Sequence, residues 1–144
     1  MKKVLLVLTA IFGLATVQAQ TELGAGVALG GGTAIEAKAN FEVSDVISIS
    51  PSVDYYFVAG DYSIIGINAD AHYNFEVGEG FVAYPLAGLN YLMISGEGYT
   101  YNSGIGLNIG GGATYAIGDN MKLYGELKYR RYGSGLSIGI LFSL

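Results

Sequence analysis

The sequence predicts an all-β protein: a closed, antiparallel, up-and-down transmembrane β-barrel of eight strands, preceded by the helix of a cleavable signal peptide. Three observations predict this class. Segments that alternate polar and apolar residues recur between turn signals. Apolar residues make up 51% of the chain and charged residues only 13%, which is too apolar for an ordinary soluble surface. After residue 20, no apolar run is long enough for a membrane-spanning helix.

The first 19 residues have the pattern of a secretory signal peptide. Lys2 and Lys3 precede an apolar run over residues 4–15, and Val17-Gln18-Ala19 is a small-x-small cleavage signature. A retained membrane anchor is the alternative, but the run is shorter than the ~20 residues that a spanning helix needs. We expect cleavage near Ala19, which leaves residues 20–144 as one barrel domain.

The net charge and the absence of cysteine limit the classes of partner and the kinds of site that the chain can have. Removal of Lys2 and Lys3 lowers the net charge from −5 to −7, which argues against nucleic acid and against anionic lipid surfaces as partners. The chain has no cysteine, so neither disulfides nor thiolate metal sites are available.

Eight segments alternate with period two, and each is near the ~9 to 11 residues with which a tilted strand crosses a bilayer. They are residues 22–30, 33–43, 46–57, 62–75, 81–94, 104–115, 121–129 and 135–144. The longest predicted loop covers residues 95–103. The segment GAGVALG has the glycine spacing of a dinucleotide-binding turn, but no parallel βαβ pattern surrounds it. A β-strand explains these glycines better than a dinucleotide-binding turn does.

The position of charge indicates which face of the sheet meets water. In SISPSVDYYF, serines and Asp54 alternate with apolar residues, and all charged residues within the eight segments occupy even-numbered positions. A membrane barrel directs such a polar face inward and its apolar face toward lipid.

Aromatic residues on the apolar face sort into two levels when alternate strands run up and down. Aromatic rings gather at the two interfaces of a membrane, whereas a soluble core has no reason to sort them by height. The two predicted girdles comprise Phe41, Tyr73, Phe75, Phe81, Tyr115 and Phe142 at the starting rim, and Tyr55, Phe57, Tyr91 and Tyr129 at the far rim.

The polar face combines many glycines with a few long side chains. An eight-stranded barrel is just wide enough to be filled by side chains, so large residues need small ones opposite them. We predict a ladder of ion pairs that plugs the lumen, because an unpaired charge in a barrel interior is costly. Its members are Glu36, Lys38, Glu42, Asp54, Asp70, His72, Glu126, Lys128 and Arg130.

Two prolines fall inside predicted strands. Pro51 and Pro85 lack the N–H that a strand donates to its neighbour, so we expect a β-bulge at each.

His72 is the only histidine, and it shares the polar face with Asp70 and Asn68. A catalytic His-Asp pair is conceivable, but no serine or carboxylate pair joins them at a rim where substrate would arrive. We therefore predict a structural histidine and no enzymatic activity, catalytic residue, metal site or cofactor.

The last strand, GLSIGILFSL, alternates apolar residues up to the C-terminus: Ile138, Ile140, Phe142 and Leu144. With this strand and its architecture, the chain from Glu22 to Leu144 resembles the small eight-stranded outer-membrane barrels of the OmpX and OmpA transmembrane-domain type, in the outer membrane protein β-barrel domain family. The resemblance implies that these four residues form the signal that the barrel-assembly machinery reads.

The resemblance also implies a location and partners. The location is the outer membrane of a Gram-negative bacterium, and the partners are its lipid and lipopolysaccharide, with the Sec translocon and periplasmic chaperones during biogenesis. We expect a monomer with a structural or surface-interaction role. Two alternatives stay open: a narrow passive transport barrel for small polar solutes, and a secreted soluble lipocalin-like barrel that binds an apolar ligand.

Overall fold

The structure is a computed structural model that describes residue 2 and residues 20–96, 98–130 and 133–144. The predicted signal peptide, apart from residue 2, and its cleavage site lie outside the described residues. Within the described part of the chain, no helix has the length and apolar character needed to cross a membrane.

Nine strands, β1 to β9, make up a single sheet. Their bounds are β1 Thr21–Leu29, β2 Thr33–Glu42, β3 Ile47–Phe57, β4 Ser63–Tyr73, β5 Phe75–Gly78, β6 Phe81–Gly96, β7 Tyr99–Ala116, β8 Met121–Arg130 and β9 Gly133–Ser143. All pairings are antiparallel, and consecutive strands pair with each other, except that β4 and β5 both pair with β6.

The sheet closes on itself through two pairings. β1 pairs with β9, and β4 pairs with β6, so the strand order forms a ring. β4 and β5 act as one barrel strand interrupted at Asn74: both pair with β6 in the same register, His72 opposite Leu86 and Phe75 opposite Ala83. The prediction of a closed, eight-stranded, up-and-down barrel is therefore confirmed.

The barrel has two unlike rims. The terminal rim holds residue 20, Leu144 and the turns β2–β3, β5–β6 and β7–β8. The opposite rim holds the hairpin ends of β1–β2, β3–β4, β6–β7 and β8–β9.

The predicted loop over residues 95–103 is wrong. β6 and β7 continue as a ladder through this region, with Ser95 opposite Thr100 and Gly96 opposite Tyr99. The register shifts between Tyr91 and Met93, where β7 holds one extra residue, and Gly104 lies in that interval with a φ of 73°. A bulge with glycine in the left-handed region absorbs an extra residue without ending the pairing. The hairpin therefore projects from the opposite rim.

The predicted bulges at Pro51 and Pro85 are wrong as well. Pro51 stands opposite Ala69, and Pro85 opposite Gly111, both in unbroken register. On the other side of Pro51, the Ser50 hydroxyl donates to the Ala39 carbonyl at 3.1 Å and so supplies a donor where proline has none.

Pro85 avoids the difficulty by its place in the ladder. It falls between the β5 and β4 pairings of β6, opposite the interruption of the β4–β5 strand. A missing N–H at that point breaks no ladder bond.

Side chains divide between the two faces as a membrane barrel requires. Apolar residues cover the outside, with Ile105 71%, Leu107 66% and Leu127 64% exposed, while serines, amides and charged residues fill the inside. In β9 the inward positions are odd-numbered, Ser137, Gly139 and Leu141, so the phase of alternation changes between β8 and β9.

Inward glycines permit close approach of backbone and tyrosine rings. A Cβ at Gly110 would collide with the Leu127 carbonyl on β8, and one at Gly112 would lie 2.8 Å from the Tyr84 ring. Gly125, by contrast, faces outward, and a Cβ there meets nothing nearer than 4.0 Å.

We expect Gly110→Ala to destabilise the folded barrel by about 2 kcal/mol, because backbone cannot yield as a flexible side chain can. Gly125→Ala is the matched control and should change stability by less than about 0.5 kcal/mol. Urea titration, read as the fraction of folded barrel on unheated SDS gels, measures both. Equal midpoints for the two variants would contradict this assignment of the interior.

Candidate functional site: the polar lumen

The centre of the lumen is an ion cluster on Glu126. Lys38 on β2 donates to Glu126 Oε1 at 2.5 Å, and Lys128 lies 3.3 Å from Glu126 Oε2. Lys128 also donates to Asp70 on β4 at 2.8 Å. These side chains are no more than 6% exposed. Because β2, β4 and β8 are not neighbours, the cluster crosses the lumen.

Asparagine amides connect this cluster to the next charged pair. Asn108 donates to Asp70 at 2.8 Å and to Asn68 at 3.2 Å, and Asn90 donates to Asn108 at 2.6 Å. Asn68 in turn donates to Asp54 at 2.9 Å. An amide both donates and accepts, so this relay satisfies carboxylates without adding charge.

The lumen ends in an apolar layer at the opposite rim. Arg130 donates to the Tyr56 hydroxyl at 3.0 Å and lies 3.7 Å from Asp54. Beyond this pair, the Tyr56 ring packs with Ala28 and Ala34, and Ile64 and Leu92 lie against them. We call these five residues, Ala28, Ala34, Tyr56, Ile64 and Leu92, the apolar cap.

Tyr124 fills the lumen beside the closure of the sheet. Its hydroxyl donates to Glu36 at 2.7 Å, and the Lys38 ammonium lies 4.4 Å from its ring centroid. A Cβ at Gly26 or Gly139 would collide with this tyrosine. Small residues therefore stand where the large ring needs space.

His72 does not pair with Asp70, which Lys128 and Asn108 occupy. Its ring stacks on Tyr84 at 4.2 Å between centroids, and Nε2 lies 3.8 Å from Glu126 Oε1. The Tyr84 hydroxyl donates to the same Glu126 oxygen at 2.8 Å, which fixes the tyrosine beneath the imidazole. The surroundings of His72 are thus those of an interior packing residue.

The interior opens at the terminal rim into a cavity of about 120 Å³, which we call the vestibule. His72, Tyr84, Lys38 and Glu126 line its deep end. Glu42, a predicted member of the ion-pair ladder, lies instead in the wall of the vestibule, because β2 reaches the rim at this residue. Lys122 and Glu22 form a partly exposed pair at 2.5 Å nearby. Among the described residues, no group of His, Asp or Glu side chains is arranged to hold a metal ion.

The aromatic residues lie outside, and several pack in pairs along the rims: Tyr55 with Phe57, Tyr73 with Phe75, and Phe81 with Tyr115. Tyr129 and Phe142 are also exposed, and Tyr91 is half-buried. Phe41 departs from the prediction, because it is only 6% exposed. It stands opposite Thr21, where the chain enters β1, and Thr21 is buried as well.

The four residues of the predicted assembly signal lie at the end of the chain, where β9 closes the barrel. Ile138, Phe142 and Leu144 are exposed, and Ile140 is half-buried. Phe142 stands opposite Leu23 of β1, and the Leu144 N–H donates to the Thr21 carbonyl at 3.0 Å.

Sequence reasoning missed the amide relay and the pair of Glu22 with Lys122. The positions of Asn90 and Asn108 on the polar face indicate that both side chains point into the lumen. Alternation does not show which strands face each other across the lumen, so it could not predict their partners.

We expect Lys38→Met to cost about 3 kcal/mol or more of stability, because it leaves Glu126 short of its closest cation in a buried site. The matched control is Lys122→Met, which removes a lysine whose side chain is 31% exposed and leaves Glu22 with the Asn40 amide as a donor, so it should cost less, about 1 kcal/mol. The urea midpoint of the refolded barrel measures both. A similar loss of stability in the two variants would show that the Lys38–Glu126 pair contributes no more to the free energy of unfolding than the Lys122–Glu22 pair does.

Comparison with known proteins identifies the fold. The chain matches no protein-family model and no curated protein. Among solved structures, it is similar to the N-terminal β-barrel domain of Pseudomonas aeruginosa OprF, with a TM-score of 0.73 at 20% identity, covering 88% of this chain and 100% of that one.

Two further solved structures have the same architecture. Neisserial surface protein A (NspA) gives a TM-score of 0.61 at 19% identity, covering 88% of this chain and 96% of that one. The attachment invasion locus protein Ail of Yersinia pestis, in complex with the heparin analogue sucrose octasulfate, gives 0.62 at 13% identity, covering 89% and 100%. The chain thus has the fold of the small eight-stranded outer-membrane β-barrels, with buried polar and charged residues in its interior.

Proposed function

We propose that this chain is an integral protein of a Gram-negative outer membrane, with a structural role and a lumen closed to solutes. One observation carries the proposal: an ion cluster crosses the lumen, and the apolar cap follows it on the side of the opposite rim. A solute would have to separate Glu126 from its two lysines before meeting an apolar layer.

The outer surface and the fold support this location. Apolar side chains form the outside and aromatic pairs stand along both rims, as a bilayer and its two interfaces require. The same distribution opposes the soluble lipocalin-like alternative, which needs an apolar interior. Export through the Sec translocon with removal of the signal peptide near Ala19, escort by periplasmic chaperones and recognition of β9 by the barrel-assembly machinery complete the proposal.

The described side chains of the lumen form no catalytic arrangement. His72 is stacked and buried, and the carboxylates around it are engaged by lysines and amides. We therefore propose no catalytic role, no cofactor and a monomeric barrel surrounded by lipid and lipopolysaccharide.

We expect the refolded protein to give no sustained conductance steps in planar lipid bilayers, while it migrates as a folded barrel on SDS gels until it is heated. The heat-dependent mobility establishes that the inserted protein is folded. Regular steps from protein that passes this check would support the narrow transport barrel instead.

A second candidate, surface interaction, rests on the projecting β6–β7 hairpin. Among the described residues the β7–β8 ladder runs only from Asn108 to Ala116, whereas residues 99–102 and 105–107 of β7 form ladder pairs with β6. Tyr101 on this segment is 59% exposed. An open strand edge is a template for an added strand from a partner.

This second candidate requires the opposite rim to face the cell exterior. We expect chymotrypsin added to intact cells to cut after Tyr101 and leave the barrel strands protected, and Tyr101→Ser to remove that cut. Fragment masses identify the site. Cleavage there only after the outer membrane is permeabilised would place the hairpin on the inner side and exclude this role.

A further inference from the structure

The vestibule at the terminal rim has features of a ligand-binding site. The structural role proposed for the plugged lumen does not explain them. The carboxylates that line it are Glu22, Glu42, Asp45, Glu76 and Glu126, and its only lysines are Lys38 and Lys122. Five carboxylates against two ammonium groups leave an excess of three negative charges around one cavity of about 120 Å³. Such a concave surface attracts small cations and repels anions.

The excess charge is concentrated at the mouth. Glu22 is held by Lys122 at 2.5 Å, and Glu126 by Lys38 at the same distance. Glu42, Asp45 and Glu76 have no ion pair within the described residues, and they come from three different segments of the rim. Their charges are therefore available to a ligand.

A second, independent feature lies at the deep end. His72 is only 5% exposed, and its Nε2 has no hydrogen-bond partner among the described residues. The ring cannot easily turn away, since it is stacked on Tyr84, whose hydroxyl is bound to Glu126. A buried nitrogen held in place without a partner is a position for a ligand donor, because leaving it unsatisfied is unfavourable.

We propose that the vestibule binds a short linear organic amine. One ammonium group lies among Glu42, Asp45 and Glu76 at the mouth, and a second amine at the other end donates to His72 Nε2. Glu126 Oε1, 3.8 Å from Nε2, already accepts from Lys38 and Tyr84, so Nε2 is the acceptor that remains for the second amine. Leu141 and Val82 in the wall offer apolar contact to the methylene groups between them.

The chemistry of the lining favours a cation over an anion, and an organic amine over a bare metal ion. An anion would face Glu42, Asp45 and Glu76, three carboxylates that have no ion pair among the described residues. A bare metal ion would need several ligating side chains, and the described His, Asp and Glu residues form no such group. A monoamine would use the mouth and leave His72 without a donor, so two amino groups are required for full affinity.

His72 provides a direct probe, because it is the only histidine in the sequence. We expect 1,4-diaminobutane, added to the refolded mature barrel labelled with ¹⁵N-histidine, to shift the imidazole resonances saturably. 1-Butylamine should bind about threefold to tenfold more weakly, since it lacks the donor for Nε2. The absence of any saturable shift with the diamine would overturn the proposal.

Calorimetric titration of variants separates a site from general attraction to an acidic protein. Glu42→Gln combined with Glu76→Gln should weaken diamine binding about tenfold. The control is Glu79→Gln combined with Asp119→Asn, which removes two charges from turns of the same rim that do not line the vestibule. Equal affinities for the two double variants would contradict the site.

His72→Phe keeps a ring on Tyr84 and removes the acceptor, so it should abolish the preference for diamine over monoamine. Heat-dependent gel mobility verifies that each variant is folded; if His72→Phe fails to fold, the comparison of the two amines and the two double variants still decides the question. None of these outcomes bears on the conductance of the barrel.

Discussion

The need to pair every backbone N–H and C=O inside lipid governs this molecule. An unpaired group in the hydrocarbon region costs several kcal/mol, and a sheet with free edges would have two rows of them. Pairing of β1 with β9, and of β4 with β6, removes both edges. Closing only eight strands makes the interior narrow, so the lumen is filled by the side chains that point into it. Closure of the sheet therefore determines the character of the lumen.

The interior of the barrel is polar because its outer surface, which faces lipid, is apolar. Moving an apolar side chain from lipid into the interior gains no hydrophobic free energy, so hydrogen bonds and ion pairs form in the interior instead. Four core carboxylates, Glu36, Asp54, Asp70 and Glu126, stand against three cations, Lys38, Lys128 and Arg130. Asparagines and tyrosine hydroxyls distribute the remaining hydrogen bonds. The apolar cap closes one end of this network, whereas the other end is open to the vestibule.

Periodicity predicted what depends on local pattern: the eight strands, the polar inside, and the outward position of most aromatic residues. It failed where a feature depends on contacts distant in sequence. The ladder beyond Ile94 needs a bulge at Gly104, and the regular register at Pro51 needs the Ser50 hydroxyl on Ala39. The arrangement of strands across the lumen determines the hydrogen bonds of Asn90 and Asn108 and the position of Glu42. The sequence of a single strand does not show this arrangement. The burial of Phe41 likewise has no signal in its own strand.

Tyr124 has a consequence for how the molecule assembles. This residue of β8 reaches past β9 and β1, over Gly139 and Gly26, to Glu36 on β2. Its hydroxyl therefore finds its acceptor only once the first and last strands have met. The Tyr124–Glu36 hydrogen bond thus spans the β1–β9 pairing from the inside, and it couples the order of this side chain to closure of the sheet.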